Sequence, residues 1–135
     1  MSQAEAKQPE PQGTAEIRSM DDMNADTRRG GDVRALLSPK TVGSTSGFMG
    51  CATIGPGDRI SEHYHPYSEE FIFCTRGTVT AELDGDRREI PAGSALYIPI
   101  NLKHRLLNEG DDEAFVVFHL GPLAPEAHLG HVDTE

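Results

Sequence analysis

Basic residues are scarce in this sequence of 135 residues: 12 Lys and Arg stand against 22 Asp and Glu, a formal net charge of -10. A surface of that charge repels phosphate backbones and anionic lipids, so we expect neither nucleic acid nor membranes as partners. The chain also lacks any apolar run near the roughly 20 residues that span a bilayer, and its acidic N-terminus is unlike a signal peptide. We therefore expect a cytoplasmic protein.

Cysteine is nearly absent, and its two occurrences, Cys51 and Cys74, lie far apart in stretches that look like strands. Neither has a second cysteine close enough for a CxxC redox or zinc pattern. We expect two reduced, buried thiols. A single structural disulfide is the alternative, although a scaffold of this length does not require one.

Three segments differ in composition. Residues 1–32 have few large apolar side chains and cannot bury enough surface to offset the entropy of ordering, so we expect a flexible N-terminal arm, or an arm that lies on a partner subunit. Residues 33–120 form the predicted domain. Residues 121–135 lack a strand pattern, and we expect a tail that wraps the surface or hangs free, with His128 and His131 exposed to solvent.

Short apolar or alternating runs fill the central segment, with Gly, Pro, Asp and Asn between them. These runs cover residues 33–37, 46–54, 70–74, 78–83, 94–100, 104–108 and 114–120. Short strands at this spacing, with no stretch of helical periodicity, predict an all-β sandwich or barrel.

Histidines stand at regular positions in this pattern. His63 and His65 are two residues apart, so in a strand both imidazoles face the same side, as a metal requires. They belong to a first frame: Gly57, five residues, His63-x-His65, four residues, Glu70, six residues, Gly77. In a second frame, Gly93 is followed by Pro99, Asn101, His104 and Asn108, and His104 adds a third imidazole.

These two frames resemble the two motifs of the cupins. The first matches throughout; the second has Asn101 where glycine is usual, and Asn can adopt the same tight turn. The resemblance implies a single cupin domain, a jelly-roll or double-stranded β-helix barrel, with His63, His65, Glu70 and His104 as metal ligands. Longer strings, residues 28–50, residues 61–71 and the ending LGHVDTE, resemble the small tetracenomycin- and resistomycin-type cyclases of bacterial aromatic polyketide clusters.

The resemblance implies a metal-dependent polyketide cyclase that promotes aldol condensation and aromatisation of a poly-β-ketone bound to an acyl carrier protein. Because no redox change is needed, zinc is the expected metal, with iron, manganese, nickel and copper as alternatives. A metal-dependent oxygenase on the same barrel and a non-catalytic partner of the synthase complex are the competing hypotheses. An acidic carrier would dock on a local basic cluster such as Arg28, Arg29 and Arg34.

Two further residues are candidates for the site. If the hairpin through residues 109–112 pairs His104 with a residue near Val117, His119 lies on the same face and is a fourth imidazole, which would release Glu70 as a catalytic base. The alternative is a structural histidine at the barrel end. Tyr97 is either a catalytic proton donor or orienting hydroxyl, or a core residue.

The alternation of side chains along strands predicts an apolar pocket that suits an oligoketide. The predicted substrate-binding residues share a face with the ligands: Ser61 with His63, Ile72 and Cys74 with Glu70, Leu106 with His104, and Phe115 and Val117 with His119. A β-bulge would reverse this parity. We also expect a homodimer in which the strand at residues 33–37 is added to the partner's sheet.

Overall fold

Two five-stranded antiparallel sheets face each other in the computed structural model, which describes residues 7–135. In chain order the elements are β1 (Asp32–Leu37), α1 (Pro39–Val42), β2 (Phe48–Ile54), β3 (Arg59–Tyr64), β4 (Glu69–Arg76), β5 (Thr78–Leu83), β6 (Asp86–Pro91), β7 (Ala95–Ile98), β8 (His104–Leu107), β9 (Ala114–Gly121) and β10 (Val132–Asp133). One sheet has the order β1-β2-β9-β4-β7 and the other β10-β3-β8-β5-β6. The all-β prediction is confirmed.

Strict alternation of side chains places the core between the sheets. In β4, Ile72 and Cys74 are buried, whereas Phe71 and Phe73 face outward and remain exposed. This period of two is what a strand with one buried face requires. The core is formed by residues of both sheets, among them Ile54, Ile60, Ile72, Val79, Ala81, Ile90, Ile98, Leu106 and Val116.

Two asparagines of the second sequence frame have clear structural roles. Asn101 adopts a left-handed backbone conformation with φ of 71°, so asparagine takes the turn that glycine usually makes. Asn108 is buried, and its Nδ2 donates to the carbonyl oxygens of Ile54 at 2.7 Å and Asp112 at 2.8 Å. These bonds fasten the turn after β8 to the end of β2.

The segment before β1 packs on the barrel. Arg18 Nη2 donates to the carbonyl oxygen of Thr41 at 3.1 Å, and Arg34 Nη1 donates to that of Met20 at 2.7 Å. Asp26 forms an isolated β-bridge with Val33. The prediction of a flexible arm over residues 1–32 is therefore wrong for residues 18–31, and residues 1–6 lie outside the described part.

Both chain ends of the predicted domain are anchored within the chain itself. β1 pairs with β2 of the same chain, with Val33 opposite Ala52, and forms one edge of its sheet, so its addition to a partner's sheet stays a prediction. The tail wraps the surface: it forms a 3-10 turn at Ala127–Leu129 and then β10, which pairs with β3.

Cys51 and Cys74 are both buried and free, which confirms the prediction of reduced thiols. None of the helices in the described part of the chain has the length and apolar character that a membrane span requires.

Candidate metal centre and cavity

Four buried side chains converge between the sheets. His63 lies in β3 and His65 directly follows it, Glu70 is the second residue of β4, and His104 begins β8. One donor atom from each residue lies within 4.8 Å of all the others. The structure thus brings together the four residues that the sequence frames single out.

Three of these donor atoms have no hydrogen-bond partner among residues 7–135: Nε2 of His65, Nε2 of His104 and Oε1 of Glu70. The carboxylate oxygen lies 3.1 Å from Nε2 of His104 and 3.4 Å from Nε2 of His65, without hydrogen-bond geometry. Buried polar atoms without partners are rare because each costs free energy. Three such atoms pointing at one another fit a bound cation, and imidazole and carboxylate are ligands that zinc and other divalent transition metals accept.

A backbone carbonyl fixes the tautomer of each imidazole. Nδ1 of His63 lies 2.7 Å from the carbonyl oxygen of Ser61, and Nδ1 of His104 lies 2.9 Å from that of Leu102. Nδ1 of His65 lies 2.9 Å from the carbonyl oxygen of Gly130. Because a carbonyl can only accept, Nδ1 carries the proton and Nε2 keeps its lone pair for a metal.

Burial and mutual charge separate the pKa values of these groups. Burial, assisted by the charge of His104, lowers the pKa of His63 to about 3, so its imidazole stays neutral. Burial alone would raise the pKa of Glu70 and lower that of His104, but the attraction between the two outweighs it. The pKa of Glu70 therefore lies below its usual value and that of His104 above, and a cation at this site competes with the His104 proton.

A cavity of about 570 Å³ opens onto the four ligands. Its apolar wall comes from both sheets and consists of Val33, Ala35, Phe48, Ala52, Ile60, Ile72, Leu106, Val116, Phe118 and Leu120. Polar side chains from the N-terminal segment and from around α1 also line it: Asp22, Asn24, Asp26, Arg29, Ser38, Lys40 and Thr41. A concave cavity that combines an apolar wall with converging polar groups is typical of small-molecule sites.

Part of the predicted pocket is found in this wall. Ile72 and Leu106 line the cavity as their parity predicts. Cys74 shares the face of Ile72 but lies in the closed core rather than at the cavity. Ser61 does not line the cavity either, because the register of β3 shifts between Ile60 and His63, which turns Ile60 inward instead.

The parity predicted for β9 is wrong. The hairpin prediction paired β8 with β9, but β8 pairs with β3 and β5, whereas β9 lies in the other sheet between β2 and β4. As a result Val116 and Phe118 face the cavity, and Phe115, Val117 and His119 lie on the outer face. His119 is opposite Phe71 and outside the ligand cluster, so it is not a fourth ligand and does not release Glu70.

Tyr97 is also on the outer face. It lies opposite Phe71 in the β4–β7 pair, is half exposed, and its hydroxyl donates to the carboxylate of Glu69. Neither predicted role fits, since the side chain is neither in the cavity nor in the core.

The basic cluster is largely neutralised within the chain, because Arg28, Arg29 and Arg34 all pair with aspartates.

The prediction that His131 is exposed to solvent is wrong, and its place at the site was missed. Its ring stacks on that of His63 with a centroid distance of 4.2 Å and an interplanar angle of 17°, and the side chain lines the cavity. Burial is the main cause that lowers the pKa of His131 to about 4. The sequence signal that could have pointed to His131 is the ending LGHVDTE, which contains it. His128 is exposed, as expected.

The sequence pattern that defines the cupin domain matches residues 50–120, more than half of the chain. The chain is a cupin. It is 59% identical to the polyketide synthase CurC of Streptomyces cyaneus over 108 residues, an alignment that covers 80% of this cupin and 70% of CurC. It is 43% identical over 108 residues to the tetracenomycin polyketide synthase protein TcmJ of Streptomyces glaucescens, covering 80% of this cupin and 72% of TcmJ.

A solved structure shares the fold of this cupin. The polyketide cyclase RemF from Streptomyces resistomycificus superposes with a TM-score of 0.71 over 90% of this chain and 87% of RemF, at 15% identity. At that identity the likeness concerns the fold alone. The relatives CurC and TcmJ bear out the predicted resemblance to the cupins of polyketide clusters.

Proposed function

We propose that this cupin is a metal-dependent polyketide cyclase, which promotes regiospecific aldol condensation and aromatisation of a poly-β-ketone intermediate. The observation that carries the proposal is the set of three unpartnered donor atoms, contributed by His65, Glu70 and His104, at the wall of an apolar cavity. The similarity to CurC and TcmJ supports the substrate class.

The four side chains His63, His65, Glu70 and His104 would hold the ion. A divalent metal such as zinc would supply Lewis-acid stabilisation of the negative charge that develops on a ketone or enolate oxygen. The neutral imidazoles leave the charge of the ion unopposed, while the Glu70 carboxylate reduces it by one unit. Because His119 lies outside the cluster, Glu70 is counted as a ligand and not as a free base.

The cavity wall supplies the other contribution of the protein. Side chains such as Ile72, Leu106 and Phe118 exclude water and restrict a flexible polyketone to a few folded conformations. The volume of about 570 Å³ falls within the usual range of small-molecule sites. The apolar wall beside the ligand cluster suits a chain of ketones better than a strongly hydrated substrate.

A pair of histidine variants tests the proposal. His104→Ala removes a donor atom from the cluster. His119→Ala is the control, because it removes an imidazole that lies on the outer face, outside the cluster. We expect His104→Ala to abolish ring closure of a reactive poly-β-ketone mimic and His119→Ala to leave it intact. An unchanged product pattern for a folded His104→Ala variant would refute a catalytic metal centre and favour the non-catalytic partner of a synthase complex.

A further inference from the structure

The C-terminal tail reaches the ligand cluster. β10 pairs with β3, so that Val132 lies opposite Tyr64 and Asp133 opposite His63. The residues just before β10 are thereby brought against the imidazoles of the metal centre. Neither the proposed reaction nor the cupin sequence frames, which end at Asn108, account for this arrangement.

One ligand depends on the tail for its orientation. His63 and His104 each direct Nδ1 to a carbonyl two residues earlier in their own segment, those of Ser61 and Leu102. His65 has no such local partner, and its Nδ1 lies 2.9 Å from the carbonyl oxygen of Gly130. Residues that hold the outer nitrogen of a metal-binding histidine set its tautomer and ring orientation.

The tail also covers a second ligand. The ring of His131 stacks on the ring of His63, and its centroid lies 5.2 Å from that of His65. Nε2 of His131 lies 3.0 Å from Oδ1 of Asp133, an oxygen to which Arg29 Nε also donates at 2.8 Å. The imidazole of His131 is thus held between the cluster and the Arg29–Asp133 ion pair, which joins the segment before β1 to β10.

Beyond Asp133 the tail is anchored by Glu135. The carboxylate of Glu135 accepts from the backbone N–H of Glu62 at 2.6 Å and from Nε of Arg105 at 2.8 Å. The N–H of Thr134 donates to the carbonyl oxygen of Glu62. Bonds at this density keep the Gly130 carbonyl at a fixed place relative to β3.

We propose that residues 130–135 are a working part of the metal centre. The carbonyl of Gly130 acts as the positioning group of His65, and His131 shields His63 from water, so that the tail retains the ion in the site. The inference rests on the proposed metal site but not on the cyclisation reaction. On this inference, residues 130–135 determine how tightly the site binds the metal.

The test measures the zinc affinity by competition with a chromophoric chelator. One variant ends at Leu129, which removes the Gly130 carbonyl and the stacked imidazole. Because loss of such outer contacts typically weakens metal sites about 10- to 100-fold, we expect a loss of that size. Arg76→Ala is the matched control, since Arg76 is exposed and pairs with Glu113, which shares no partner with residues 130–135; we expect its zinc affinity to be unchanged.

A second variant covers the case in which the shortened chain does not fold. Arg29→Ala removes one anchor of Asp133 while the tail stays in the chain, and we expect a smaller loss of zinc affinity, by a factor of about 3 to 10. The visible spectrum of the cobalt-substituted protein should also change in both tail variants but not in Arg76→Ala, because ligand orientation differs only in the tail variants.

The outcomes separate this inference from the proposed function. Zinc affinities of both tail variants within twofold of the full chain would overturn the role of the tail while leaving the metal site in place. If the full chain itself binds no divalent metal, the metal-dependent function fails and the tail inference fails with it. Loss of affinity in the tail variants at retained folding, seen by circular dichroism, supports the inference whatever the reaction proves to be.

Discussion

Acid should destabilise the metal-free protein through His63. In the folded chain burial lowers the pKa of His63 to about 3, whereas an unfolded histidine has a pKa near 6.5. The unfolded state therefore binds a proton that the folded state refuses. The contribution of the neutral His63 imidazole to the free energy of unfolding is fully present above about pH 6.5. It is lost as the pH falls from there towards 3.

The magnitude follows from the two pKa values. At about pH 5 an unfolded histidine is almost wholly protonated and His63 in the folded chain is almost wholly neutral, which costs about 2 kcal/mol relative to about pH 8. This figure hardly depends on the folded value as long as that value stays well below 5. His104 contributes with the opposite sign, because Glu70 raises its pKa.

The assay is urea denaturation of the protein in the presence of a chelator at the two pH values, with His63→Asn as the comparison. Asn keeps a donor for the Ser61 carbonyl but does not titrate, so the variant should lose about 2 kcal/mol less than the natural chain between about pH 8 and pH 5. His128→Asn, at an exposed tail position, should behave as the natural chain. Equal acid losses with and without His63 would show that this imidazole is not held neutral by burial.

Three other predictions follow from the site and the surface. Glu70→Gln keeps the shape of the side chain but removes its charge, so we expect the zinc affinity to fall about 10-fold or more, as measured by chelator competition; an unchanged affinity would exclude Glu70 as a ligand. His119→Ala and Tyr97→Phe alter only the outer face, and we expect ring closure at the natural rate in both; a large loss of rate would mean that this face takes part in the reaction. The homodimer expected from the sequence should sediment with twice the mass of the chain, and a mass of one chain would refute it.

The ligand set could be predicted because each part of it is local. The i and i+2 spacing of His63 and His65 fixes their common side within one strand, and the frame around Glu70 and His104 fixes the rest. Parity also held in β4 and β8, where Ile72 and Leu106 line the cavity on the face of Glu70 and His104. Asn101 could be assigned to a left-handed turn because few residue types adopt one.

The errors arose where the structure depends on contacts between distant segments. The prediction of which β9 side chains face the cavity was wrong because the chain crosses from one sheet to the other after β8, and local periodicity cannot show such a crossing. Ser61 was displaced by a register shift in β3. The tail was missed because β10 has two residues, too few for any alternation, and because His65 finds the Gly130 carbonyl 65 positions further along the chain.

The central claim is that a metal ion bound by His63, His65, Glu70 and His104 promotes ring closure without oxidation. The most direct test is the rate of ring closure of a poly-β-ketone mimic under strict anaerobic conditions, by protein whose metal content is determined on the same sample. We predict about one zinc ion per chain, full activity without oxygen, and loss of activity on chelation. Strict dependence on oxygen together with iron, copper or manganese would contradict the account and assign the site to an oxygenase.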